Sequence, residues 1–203
     1  MANMFSGCSN LTELDLSSFE TSNVEKMDNM FNGCSSLTKL NISSFRTNHV
    51  QSMVSMFAGC SSLIELNLSH FNTYNVESMK SMFEGCKSLT TLNLDNWTVL
   101  YTWTLDRMFY GCTSLTELDL SSWASSGGYG ITSMFAECSN LTKVDLSNFN
   151  PRGVLIADYM FRGCTKLEDL KLNNWDTSDI TSYAQFMEPG KTINGRPWEE
   201  FFQ

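Results

Sequence analysis

The residues here with the most reactive chemistry are seven cysteines, two histidines and 22 aspartates and glutamates. The cysteines stand at positions 8, 34, 60, 86, 112, 138 and 164, a constant step of 26. No CxxC pair exists to nucleate a metal site, and His49 and His70 fall at other phases of the step. Neither thiolate–imidazole ligation nor a cysteine–histidine nucleophile is therefore set up. His70 follows a strand where other copies carry serine or asparagine, and His49 sits in a bend where others carry Asn23, Asn75 or Asp179. Both read as polar surface substitutions. The carboxylates are spread along the chain rather than gathered, and no glycine-rich phosphate loop follows a strand. The residues offer no catalytic, metal or cofactor site, and the expected function is not enzymatic.

What positions these residues is a repeat. Met-Phe recurs at 4–5, 30–31, 56–57, 82–83, 108–109, 134–135 and 160–161, in step with the cysteines. Such a register means one supersecondary unit stacked on itself. In the first copy the apolar positions are Met4, Phe5, Cys8, Leu11, Leu14, Leu16, Phe19, Val24 and Met27. The run Leu11-x-x-Leu14-x-Leu16 is a leucine-rich-repeat strand, with residues 13, 15 and 17 outward. An aromatic spine of Phe19, Phe45, Phe71, Trp97, Trp123, Phe149 and Trp175 follows the strands. The segment Val24-x-x-Met27 reads as a short second strand or the start of a helical turn. Met30 to Cys34 reads as one helical turn closed by Gly33 in a left-handed conformation. Glu137 in the sixth copy replaces that glycine, which suggests a mild demand for positive φ.

The expected fold is an α/β, right-handed leucine-rich-repeat solenoid of seven 26-residue repeats, with one parallel sheet face and short helical turns opposite. It covers residues 1–187, and residues 188–203, with Trp198, Phe201 and Phe202 out of phase, form a C-terminal cap. Equivalent residues on neighbouring coils lie about 4.8 Å apart with parallel Cβ vectors, whereas a disulfide needs Cβ atoms facing each other. All seven cysteines are therefore expected as free, buried thiols.

The net charge of −9, with no run of basic residues, argues against nucleic acid and anionic membranes as partners. No apolar stretch is long enough for a spanning helix, and the first residues lack a signal-peptide pattern.

Two surfaces remain as candidates. The first is the outward sheet face, where Glu13, Asp15, Glu65, Asp95, Glu117, Asp119, Asp145 and Asp169 stand against Lys39, Lys143 and Lys171. It is either a plain solvated face or a broad surface for a basic or hydroxyl-rich partner. The second is a ridge on copies four to six, where the bend segment departs from the pattern. One column reads Glu25, Gln51, Glu77, then Trp103, Tyr129, Leu155, then Thr181. Leu100, Tyr101, Arg152 and Tyr159 fall nearby, giving the composition of an interaction patch. The alternative is a repacked core: the inward valine column becomes Thr102 and Gly128, so Tyr101, Trp103 or Tyr129 can turn in to fill it. The patch requires Trp103 and Tyr129 to be exposed.

The module MFxGCSSLTxLDLSxFxTSxVxxM resembles the BspA-like leucine-rich-repeat surface proteins of bacteria, over residues 4 to about 187. The resemblance implies an extracellular or cell-surface protein with no catalytic residues and no cofactor. It further implies adhesion or protein recognition, with a protein of a host or bacterial surface as partner and a glycan as a second choice. A structural spacer without its own ligand is the other reading.

Overall fold

The computed structural model describes residues 1–123 and 129–202. Seven three-residue strands recur at the repeat spacing: β1 (Glu13–Asp15), β2 (Lys39–Asn41), β3 (Glu65–Asn67), β4 (Thr91–Asn93), β5 (Glu117–Asp119), β6 (Lys143–Asp145) and β7 (Asp169–Lys171). Every paired strand is parallel and in register at the repeat step, as in Leu14 opposite Leu40 and Val144 opposite Leu170. The chain is a leucine-rich-repeat solenoid that makes about six turns between β1 and β7.

The strands are short for a local reason. The side chain that ends each of the first six strands turns back on its own backbone. Asp15, Asn41, Asn67, Asn93, Asp119 and Asp145 each accept, through Oδ1, the N–H two residues on. This Asx turn diverts the donor that a longer strand would need.

The strands form sheets β1–β2, β3–β4 and β5–β6–β7, rather than one continuous ladder. Behind them the aromatic spine holds Phe45, Phe71, Trp97 and Trp123 with ring centroids 6.3–6.4 Å apart. A second file, from Phe5 through Phe161, stacks at 5.0–5.7 Å on the opposite side. The ladder is open between β2 and β3 and between β4 and β5, although the spine spacing there matches the 6.4 Å at the paired β3–β4 junction. At the β2–β3 opening, the His70 imidazole reaches the Ile42 carbonyl at 3.1 Å. At the β4–β5 opening, the buried Trp123 indole N–H has no partner among the described residues, whereas those of Trp97 and Trp175 donate to Leu68 and Leu146.

The helical turn expected at Met30 to Cys34 is absent. The N–H groups of residues 30, 32 and 34 bond the carbonyl three residues back. Those of 27, 29, 31 and 33 bond the carbonyls of Ser52, Val54, Met56 and Ala58, in the next coil. Two left-handed residues per coil enforce this alternation: one in the column of Asn29, Ser55, Ser81, Arg107, Ser133 and Tyr159, the other at the glycine position. A right-handed helix cannot pass through either. The demand at the glycine position is full rather than mild, because Glu137 itself adopts a φ of 63°. Val24 to Met27 resolves as the second-strand alternative, reduced to parallel bridges from Lys26 through Ser52, Ser78 and Thr104 to Gly130.

The thiols line one interior file. Six are buried, and Cys34, Cys60, Cys86, Cys112, Cys138 and Cys164 donate to the carbonyls of Phe5, Phe31, Phe57, Phe83, Phe109 and Phe135 at 3.0–3.2 Å. All seven are free, but Cys8 is exposed, contrary to expectation, because among the described residues no coil lies outside the first. Beyond Met187, β8 (Thr192–Ile193) and β9 (Arg196–Pro197) pair antiparallel, and a 3₁₀ turn spans Trp198–Glu200. This tail lays Phe202 on Tyr183 and Phe186, and Trp198 on Phe186.

Candidate functional site

The bend after the aromatic spine carries the candidate ridge, and its geometry is set by a hydroxyl ladder. Thr21, Thr47 and Thr73 are buried, and each hydroxyl donates to one carbonyl of the next coil while accepting that same residue's N–H. The ladder fixes the backbone just ahead of residues 74 and 101. In coil four the next column remains inward, with Thr102 buried in the valine file and donating to the Val76 carbonyl at 2.8 Å. Coil four therefore keeps phase, and Trp103 points out with 66% of its surface exposed.

Coil five keeps the register, with Gly130 opposite Thr104, but the residue just before it turns inward. Gly128, whose lack of a side chain motivated the inward alternative, lies outside the described residues. Tyr129 is only 4% exposed, and its ring packs on Phe149 with centroids 5.7 Å apart. The N–H that reaches the Trp103 carbonyl belongs to Gly130 rather than Tyr129. Tyr129 is thus a core residue and not part of a surface ridge. The two alternatives divide between the rings: Trp103 and Tyr101 face solvent, and Tyr129 fills the interior.

The remaining ridge residues are dispersed. Leu100 is half-buried, Arg152 and Leu155 are exposed, and Ile156 beside them is exposed too. Tyr159 is half-buried on the turn side, in the left-handed column, with the Arg162 guanidinium 5.6 Å from its ring centre.

What the structure does bring together is a smaller cluster between coils three and four. Tyr74, Asn75, Glu77, Tyr101 and Trp103 line a depression of about 360 Å³. The Tyr74 and Tyr101 rings stand 5.1 Å apart at 73°, with hydroxyl oxygens 3.3 Å from each other. That contact pushes the Tyr74 phenol above its ordinary range, since the partner hydroxyl disfavours a phenolate beside it. Sequence reasoning missed Tyr74 because its coil otherwise follows the regular pattern. The signal was present: Tyr74 stands where coils one and two carry Ser22 and Asn48.

On the sheet face Glu13, Asp15, Glu65, Asp95, Glu117 and Asp119 are exposed, and Asp145 is half-buried. Much of this charge is already engaged. Glu13 pairs with Lys39 at 2.6 Å and Asp145 with Lys171 at 3.2 Å. Asp15 is held below the usual carboxylate range by the Ser17 N–H, the same bond that ends the strand. For Asp145, burial pushes upward, but the Ser147 hydrogen bonds and Lys171 outweigh it and lower the carboxyl. The turn side carries a further cluster that sequence reasoning did not single out. Arg107 binds Glu84 through two nitrogens, at 2.6 and 3.0 Å, and stacks 3.8 Å over the Tyr110 ring. Among the described residues no group of three or more His, Cys, Asp or Glu could hold a metal ion, and no helix is long and apolar enough to cross a membrane.

A family model described as "Mycoplasma protein of unknown function, DUF285" matches residues 1–100 and again 90–200. The chain belongs to the DUF285 family. The repeats are those of BspA-like leucine-rich-repeat proteins, as their motif implies. Among solved structures, this DUF285 chain is similar to a Treponema pallidum leucine-rich repeat protein, TpLRR, at 20% identity with a TM-score of 0.46. It covers 90% of this chain, which spans 64% of that one. A leucine-rich repeat protein from Bacteroides ovatus is 18% identical with a TM-score of 0.29, over 93% of this chain and 67% of that one. No curated protein matches the sequence.

Proposed function

We propose that this DUF285 chain is a non-enzymatic recognition module of a bacterial surface or secreted protein, and that it binds a protein partner at the depression between coils three and four. The observation that carries the reading is the contiguity of Tyr74, Tyr101 and Trp103, all exposed, on an exterior otherwise rich in Ser, Asn and Thr. Exposed aromatic side chains are costly to leave in water and are enriched where interfaces form, since one rigid ring covers much area with little entropy lost. The family resemblance supports a surface location and an adhesive role. The scatter of histidines and carboxylates among the described residues, with none gathered in a metal-holding group, supports the non-enzymatic part.

The test is an array of matrix proteins, cell-surface proteins and glycans probed with the intact chain. The expected result is a protein signal that Trp103→Thr and Tyr74→Asn together abolish; these residues already occur in the same columns as Thr181 and Asn48. Binding that survives both substitutions overturns the site. An array without any signal favours a spacer, and a signal confined to glycans overturns the choice of partner.

A further inference from the structure

We infer that the depression between coils three and four accepts a positively charged side chain, an arginine or lysine of the partner protein. This rests on the recognition reading above and adds its chemistry. Glu77 lines the depression, half-buried, with no hydrogen bond or ion pair to its carboxylate among the described residues. Three carboxylates are paired with a cation across a coil junction, Glu13 with Lys39, Glu84 with Arg107 and Asp145 with Lys171. Glu77 is not, and it differs from the unpaired Glu25 of its own column in standing beside aromatic rings. Among the described residues no lysine or arginine lines this depression. The walls are aromatic. Tyr74 and Tyr101 stand nearly perpendicular and present two faces rather than one flat platform. Trp103 occupies the column of Glu77, one coil on. Ring faces carry negative charge density and attract cations held over them.

The molecule already contains the completed form of this arrangement. On the turn side, Glu84 of one coil and Tyr110 of the next hold the Arg107 guanidinium between carboxylate and ring. The depression repeats those parts, with the carboxylate from coil three and the rings from coils three and four, and lacks the guanidinium. The Asn75 amide donates to the Asn48 carbonyl at 2.8 Å, which leaves its own oxygen free to accept from an incoming N–H. A net charge of −9 favours the approach of a basic partner. A planar, weakly hydrated guanidinium suits a site of rings plus one carboxylate better than a compact ammonium.

The experiment titrates the intact chain at low salt with a short blocked peptide carrying one arginine, and with its citrulline counterpart, reading tryptophan emission. The arginine peptide is expected to bind at least about tenfold tighter than the neutral one, a difference near one ion pair plus one cation–ring contact. Glu77→Gln should cut that affinity about tenfold, while Trp103→Thr should remove the emission change. Gln51 fills the same column in coil two, so the fold accommodates the change, and an unaltered circular dichroism spectrum checks this. Equal binding of the citrulline peptide, indifference to Glu77→Gln, or no response up to about 10 mM peptide overturns the inference. Neutral peptides that bind in a Trp103-dependent way would leave the recognition site standing and remove only its charge preference. Array partners retained by the Trp103→Thr, Tyr74→Asn chain would remove the site itself.

Discussion

The file of buried thiols makes the fold sensitive to alkali in a calculable way. Burial pushes the Cys86 and Cys138 thiols from 9.0 up to about 12, and pushes Cys60, Cys112 and Cys164 up as well. A raised thiol pKa favours the protonated, folded form. Its contribution is fully present below pH 9 and is lost as pH climbs from 9 towards 12, because the unfolded chain releases its protons first. At about pH 10 each of Cys60, Cys86, Cys138 and Cys164 costs about 1.4 kcal/mol relative to neutral pH, so these four together cost about 6 kcal/mol. That is comparable to the whole stability of a typical domain, about 5–15 kcal/mol. Guanidinium unfolding followed by far-UV circular dichroism, under reducing conditions from about pH 8 to pH 10, reads this loss directly. Lysine and tyrosine titration also act in that range, so the decisive comparison is with a Cys86→Ala, Cys138→Ala chain. It should start less stable yet lose about 3 kcal/mol less between the two pH values. An identical pH dependence in both chains would refute a desolvated thiol file.

Other outcomes follow from individual contacts. Trp97→Phe removes an indole bonded to the Leu68 carbonyl, whereas Trp123→Phe removes a buried N–H without a partner among the described residues. Trp97→Phe should therefore cost about 1–3 kcal/mol more than Trp123→Phe in denaturant titrations. Thr47→Val deprives both the N–H and the C=O of Asn72 of a buried partner and should cost about 2–4 kcal/mol by the same assay. Gly163→Ala and Gly7→Ala both place a side chain at positive φ, but only the first meets Glu137, whose Oε2 would lie 2.8 Å from the new Cβ. Thermal unfolding should rank Gly163→Ala as the more damaging, beyond the roughly 1–2 kcal/mol of the left-handed conformation alone.

The sequence made the register legible because one constant step governs the leucines, cysteines and aromatics alike. Strand positions, inward and outward faces and the thiol file all followed from it. The turn side was misread because its second left-handed column carries Asn29, Ser55, Arg107 and Tyr159, none of which announces positive φ as glycine does. Without that column, Met30 to Cys34 looks like a helical turn. The ridge was half legible. Periodicity puts Trp103, Tyr129 and Leu155 in one column, but a shared column does not force every side chain in it to the same face. Tyr129 entered the core while Gly130 beside it held the register opposite Thr104. One side chain thus changed face without a slip of the coil, the alternative that Gly128 in the valine column had raised. Tyr74 escaped notice for the opposite reason, being an aromatic substitution inside a regular coil. Its partner Tyr101, in the next coil, becomes visible only when the coils are stacked.

That pairing gives the most direct test of the account. Brief photo-oxidation of the dilute, native chain joins exposed tyrosines whose rings are in contact, and peptide mass spectrometry locates the bond. With rings 5.1 Å apart and both exposed, Tyr74 and Tyr101 should form the dominant intramolecular dityrosine, with Tyr129 spared in the core. A linkage through Tyr129, or none between Tyr74 and Tyr101, would contradict both the register of the coils and the site built on it.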